Sequence, residues 1–313
     1  MQQVPRYAIT SLLRGPSPDQ DLSWAGFVVM LPCRNNATGA FRSLPWPFPH
    51  LARQPWPDHE ARMKTTGNTL LITGGTSGIG RALAEAFHDR GNRVIVAGRR
   101  RALLDDMTAA RPGMVGLCVD LDDPASLSSF ASEVRTRFPE LNVLIANAGI
   151  SRSENMAADD WDIADAQAIV QTNILGVLRV TAALLPTLKR QANATIMATS
   201  SNLAFLPRAD FPSYCASKAF VHSWLQSLRH QLRKVPVEVL ELAPPYVRTQ
   251  LTGTQQAQDP RATPVDAYVA EVMQLLERAE HPRGEVLVER DRARRWAERD
   301  GRYEETFAAM NPD

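Results

Sequence analysis

Tyr214 and Lys218 stand four residues apart in "SYCASK" (213–218), so a helix would put them on one face. An ammonium beside a phenol favours the phenolate and lowers its pKa toward neutrality. Such a tyrosine can give a proton to a developing alkoxide or take one from an alcohol. A Tyr-x-x-x-Lys pair by itself is far more often a surface pair. Ser201 lies thirteen residues upstream, at the end of the apolar run "TIMATSS", where its hydroxyl could hold a substrate carbonyl. Ser200 competes for that role, and either serine would be unremarkable as a strand-end cap.

A second group lies earlier. "TGGTSGIG" (73–80) joins an apolar run to a helix-forming segment. Its glycines let the backbone approach a ligand closely. The helix opening at Gly78 offers unpaired N–H groups and a positive dipole end. Thr73, Gly74, Thr76, Ser77, Gly78, Ile79 and Gly80 are therefore read as a pyrophosphate cradle. No GK[ST] follows, which argues against a nucleoside-triphosphate loop. About twenty residues on, a dinucleotide site usually has Asp or Glu for a free ribose 2′-hydroxyl. Here Gly98 takes that place, followed by Arg99 and Arg100. Guanidinium groups pair with a 2′-phosphate, so the expected cofactor is NADP(H) rather than NAD. Cations at a helix start oppose its dipole and ask for such a reason.

These residues need strands and helices to hold them. Strand-like runs fall at 69–73, 93–97, 114–119, 142–146, 195–199, 237–243 and 285–288. Helix-like segments fall at 79–90, 99–110, 124–137, 162–190, 212–234 and 265–279. This alternation predicts a single α/β domain, a Rossmann-type doubly wound parallel sheet of about seven strands. Runs such as "NVLIA" and "VIVA" suit strands covered on both faces. After Thr249 comes a polar stretch with few chemical handles apart from Arg261. Phe205, Leu206 and Phe211 are equally consistent with lining the pocket or packing beside it. The tail after 290 is a charged helix pattern, with Trp296, Tyr303 and Phe307 as anchors.

The formal charge of +1 gives no electrostatic case for nucleic acid or an anionic membrane. Cys33, Cys118 and Cys215 are far apart, and the six histidines show no ligand spacing, so no metal is expected. Sparse cysteines fit a reducing, cytoplasmic setting. No run of about 18 apolar residues marks a membrane span. "WAGFVVMLPC" (24–33) is too short, and lacks the cleavage pattern, for a signal sequence. Residues 1–62 hold nine of the 22 prolines and no lysine. They read as a disordered or partner-binding extension, or as upstream sequence with translation beginning at Met63. Residues 63–313 are read as the domain that carries the candidate reacting and nucleotide-holding residues.

Five blocks occur in order: "TGGTSGIG", "NAG" (147–149), "TNILG" with Asn173, "SS" with Ser201, and "YCASK" with Tyr214 and Lys218. Together they make residues 63–313 resemble a short-chain dehydrogenase/reductase of the compact type, nearest the DltE-like oxidoreductases. "LELAPPYVRTQL" and "EVLVER" are further cues for that subgroup. The resemblance implies an NADP(H)-dependent exchange of hydride with a small-molecule carbonyl or alcohol. It implies Tyr214 as general acid/base and Lys218 on the nicotinamide ribose. Ser201 would orient the carbonyl, its spacing favouring it over Ser200, and Asn173 would hold a relay water through its backbone. Asp120 and Leu121 would lie near the adenine, Asn147, Ala148 and Gly149 behind the turn, and Val247 and Thr249 at the carboxamide. A homodimer or homotetramer follows from the same likeness. Two departures stand out: Ala146 where the family has Asn, and Pro244-Pro245 where it has Pro-Gly. The rival reading is a non-catalytic NADP-binding sensor or scaffold, which would not need Asn173, Ser201, Tyr214 and Lys218 intact.

Overall fold

The computed structural model describes residues 63–312. The N-terminal extension 1–62 lies outside the described residues, and with it the candidate signal segment. From Met63 onward, strands and helices alternate. The first half runs β1 (Thr69–Thr73), α1 (Gly78–His88), β2 (Arg93–Gly98), α2 (Arg101–Ala110), β3 (Val115–Cys118), α3 (Pro124–Arg137) and β4 (Val143–Ala146). The second begins with one long helix in three stretches: α4 (Ala164–Ile169), a π turn (Val170–Leu175) and α5 (Gly176–Leu188). Then come β5 (Ala194–Thr199), α6 (Pro212–Leu232), β6 (Val237–Leu242), α7 (Thr254–Gln258), α8 (Val265–Glu277), β7 (Glu285–Val286), α9 (Glu289–Arg295) and α10 (Tyr303–Met310).

All strand pairs are parallel, in the order β3-β2-β1-β4-β5-β6-β7. This is the expected doubly wound sheet. The order reverses between β1 and β4, which opens a crevice at their carboxyl ends. Successive apolar residues on each strand serve opposite faces. Leu71, Ile95, Leu144 and Ile196 pack with α3, α5 and α6, while Leu70, Ile72, Val94 and Val96 pack with α1, α2 and α8. That is why these strands read as unbroken apolar runs.

Local chemistry sets the ends. Asp123 caps α3 by accepting from the Ala125 N–H at 2.9 Å, with Pro124 in the first turn. β7 stops two residues short of the expected 288, because Val288 turns to start α9. Of the described helices, the stretch Ala164–Leu188 is long and apolar enough, by length and composition, to cross a membrane (mean hydropathy 1.6). No unbroken apolar run announces it. Its buried residues, among them Val177, Val180 and Leu184, sit in the core between α3 and the sheet.

Candidate active site

The crevice at the switch point is built by cross-ties between strand ends. Thr73 Oγ1, at the end of β1, accepts from the N–H groups of Asn147 and Ala148 at 3.1 and 3.2 Å. The Asn147 amide returns hydrogen bonds to the carbonyls of Thr73 and Gly74, both at 3.3 Å. Its Oδ1 accepts from Thr199 Oγ1 at 3.2 Å, which ties in β5. One asparagine therefore gathers the ends of three strands.

The turn between β1 and α1 requires its glycines. Gly74 and Gly78 have φ of +64° and +54°. A Cβ on Gly80 would come 2.4 Å from both Asn147 Nδ2 and the Gly74 carbonyl. Gly80→Ala is therefore expected to cost about 2 kcal/mol of stability. A urea unfolding midpoint equal to the parent's would refute that. Ser77 precedes α1 with no side-chain cap, and no acidic residue occupies the first turn, so among the described residues no side chain takes up the anion-binding end of the helix.

Arg100 lies over this turn. Its guanidinium donates to Ser77 Oγ at 3.0 Å and Thr76 Oγ1 at 3.3 Å. Among the described residues no carboxylate pairs with it. Arg99 stands 3.8 Å from Asp122. Two arginines, one facing only hydroxyls, with Gly98 behind them, fit a phosphate-bearing ribose.

Ser201, Tyr214 and Lys218 come together at the other end of the same pocket. Lys218 is 3% exposed, and its Nζ donates to the Thr199 carbonyl at 2.8 Å. Burial brings its pKa down to about 8. Its Nζ lies 5.6 Å from the centre of the Tyr214 ring. Burial also pushes the Tyr214 phenol well above its ordinary range; the Ser201 hydrogen bond lowers it by less, and nearby Cys215 raises it further. The expected drop toward neutrality is thus absent from this protein alone, because desolvation outweighs the neighbours. Ser200 donates instead to the buried Glu241 carboxylate at 2.5 Å. That leaves Ser201 as the serine beside the tyrosine whose proton is not taken by a carboxylate.

Every residue expected to touch the cofactor lines this pocket except Gly80, which is packed beneath the turn. Asn173 is fully buried behind the pocket. Its Oδ1 accepts from the Ile150 N–H at 2.8 Å, and its Nδ2 donates to the Ile150 carbonyl at 2.9 Å and Ser217 Oγ at 3.0 Å. It lies in the π turn, a distortion frequent at functional sites. Phe205, Leu206 and Phe211 pack rather than line: Phe205 meets His222 edge-on, Leu206 is fully buried, and Phe211 packs against the cluster holding Tyr214. Arg261 is exposed and paired with Asp259.

Gln256 went unread in the sequence. Its Nε2 donates to the Val247 carbonyl at 2.8 Å, and its Oε1 accepts from both donors of Thr252. It closes the polar loop after β6 over the pocket. Arg152, on the pocket wall, was also unread. Behind Ser200, His222, Glu241 and Glu285 approach one another as metal ligands might. Protein donors already serve them: Arg295 grips Glu285 through two hydrogen bonds of 2.9 and 2.8 Å, and His222 lies 2.7 Å from Glu241.

A family model described as short chain dehydrogenase matches residues 68–260. The oxidoreductase DltE of Bacillus subtilis is 35% identical over 251 residues, 80% of this chain and 98% of that protein. A short-chain dehydrogenase from Burkholderia cenocepacia, solved in complex with NADP, superposes with a TM-score of 0.67 at 25% identity. It covers 80% of this chain and 100% of its own. One from Burkholderia phymatum in complex with NAD superposes with a TM-score of 0.62 at 23% identity, covering 80% and 98%.

Proposed function

The chain belongs to the short-chain dehydrogenase family of oxidoreductases, and from that membership we propose that it is a reductase using NADPH and acting on a small carbonyl compound. The observation that carries this reading is the convergence of Ser201, Tyr214 and Lys218 at one end of a pocket whose other end holds Arg100 over a free helix N-terminus. Solved relatives carry either NAD or NADP, so the choice of NADP rests on the arginines.

NADPH, when bound, supplies the hydride. The free N–H groups at the start of α1 take its pyrophosphate, and Arg100, aided by Arg99, takes its 2′-phosphate. Lys218 holds the ribose hydroxyls. Asp120 and Leu121 wall the adenine, and Val247 and Thr249 reach the carboxamide. Ser201 donates a hydrogen bond to the substrate carbonyl and fixes it toward the tyrosine. Tyr214 gives its proton to the alkoxide as charge develops on oxygen. Its raised pKa in the free protein suits a donor that must stay protonated until then. Lys218 would favour the phenolate once the proton leaves, and the positive charge of a bound oxidised nicotinamide would add to this. Asn173, anchored on Ile150, would hold at its backbone a water that passes a proton from solvent back to the tyrosine.

The test is NADPH oxidation by the full chain against a panel of ketones, aldehydes and quinones, with NADPH-induced thermal shift alongside. Turnover of at least one carbonyl class is expected. A clear thermal shift with no turnover across the panel would favour a sensor that retains the residues of a catalyst.

A further inference from the structure

Asp291 is a carboxylate buried where a carboxylate needs a reason. It lies in α9 and is 3% exposed. Desolvating an ionised carboxylate is costly unless partners compensate. Its Oδ1 accepts from Asn202 Nδ2 at 3.1 Å, and the Arg294 guanidinium stands 3.8 Å away. Among the described residues its Oδ2 has no hydrogen-bond partner. Burial raises its pKa, and the Asn202 hydrogen bond works against that rise.

Asn202 is itself 2% exposed and directly follows Ser201. A side-chain amide has a donor end and an acceptor end. With Nδ2 on Asp291, Oδ1 must face the other way. There it meets Ser201 Oγ at 3.4 Å. Ser201 Oγ also accepts from the Leu203 N–H at 3.1 Å. The hydroxyl is thus held by a donor on one side and a weak acceptor on the other, with Tyr214 as its third neighbour.

We propose that Asp291 and Asn202 are positioning residues for Ser201: the carboxylate on α9 fixes the amide, and the amide fixes the rotamer of the hydroxyl. This rests on Ser201 holding the substrate carbonyl. Neither residue touches substrate. The 3.4 Å contact is long enough that the hydroxyl gives it up at little cost when a better acceptor arrives. The Leu203 N–H meanwhile polarises the oxygen and strengthens it as a donor. Ser200 has no such freedom, since its proton is committed to Glu241. The arrangement also accounts for an acceptor, 89 positions beyond Asn202, buried against the serine turn.

The test uses the full chain with NADP⁺ and two variants. Asp291→Leu removes the acceptor at similar size; Asp291→Asn keeps an acceptor and removes the charge. In crystals, the parent and Asp291→Asn should hold Ser201 in one rotamer on the Leu203 N–H. Asp291→Leu should turn the Asn202 amide or split Ser201 over two rotamers. With the carbonyl best reduced in the panel, Asp291→Leu should lose about tenfold in kcat at unchanged KM for NADPH. Asp291→Asn should recover at least half of the parent kcat. An unchanged Ser201 and Asn202 in Asp291→Leu would overturn the proposal. So would equal kcat losses in both variants, or a loss that appears in the NADPH KM. Should Asp291→Leu fail to fold, Asn202→Ala serves: an undisturbed Ser201 rotamer there overturns the proposal equally. The crystallographic comparison needs no turnover, so failure of the reductase reading is distinguishable from failure of this one.

Discussion

Tyr214→Phe is expected to lower carbonyl reduction about a thousandfold, or about 4 kcal/mol at the transition state. The ring is 7% exposed and belongs to a packed cluster with Ile169 and Cys215, so phenylalanine fills the same space. What disappears is one O–H group. In the proposed mechanism its loss takes away the proton donor to the alkoxide and a neighbour of Ser201. Lys218 keeps its bond to the Thr199 carbonyl, so the ribose site should stand. NADPH affinity, read by thermal shift or fluorescence, should therefore stay within about threefold of the parent. Parent-like turnover in Tyr214→Phe would remove the tyrosine from the chemistry. A parallel collapse of NADPH binding would mean that it acts in binding instead.

The second large effect concerns cofactor choice. Replacing Arg99 and Arg100 together by Ala should raise the Kd for NADPH about thirtyfold and leave NADH within about twofold, since a charge-assisted hydrogen bond contributes roughly 1.5–3 kcal/mol. The two arginines should not share the loss equally. Arg99 is partly engaged with Asp122, whereas among the described residues Arg100 meets the hydroxyls of Thr76 and Ser77 and no carboxylate. Arg100→Ala alone should give most of the effect. The parent's preference should also weaken as salt rises, because exposed charges are screened. Equal losses for NADPH and NADH, measured by titration of both, would dismiss the 2′-phosphate assignment.

Much of this architecture was legible in the sequence because the strands are buried on both faces. "TLLIT" and "VLIA" admit little else, and their spacing by amphipathic helices implies parallel crossovers. The candidate site was legible because its residues sit at fixed offsets around turns: the glycines after β1, the serines after β5, and Tyr214 with Lys218 one helical turn apart. Other features left no local signal. Over the six residues "VQTNIL" a π turn and an α-helix have nearly the same apolar pattern, so Asn173's distorted stretch read as ordinary helix. Gln256 and Val247 meet only because the polar loop folds back on itself. Asp291 looked like one charge among many in a solvated tail, and only the packing of α9 on the serine turn reveals it as buried. The direction of Tyr214's pKa in the chain without cofactor is likewise hidden from sequence. A neighbouring lysine is visible in sequence, whereas the desolvation that outweighs it belongs to the tertiary fold.

The grip of α9 on the turn after Ser201 has a consequence for the order of events during synthesis. A ribosome releases the chain from its N-terminal side. The strands β1 to β6, the glycine turn and the tyrosine helix have all emerged before α9 is made. A nascent protein at that stage has the sequence needed for the nucleotide crevice but lacks the carboxylate that holds Asn202. On our proposal, the setting of the serine then waits on a short helix that contributes nothing to the central sheet.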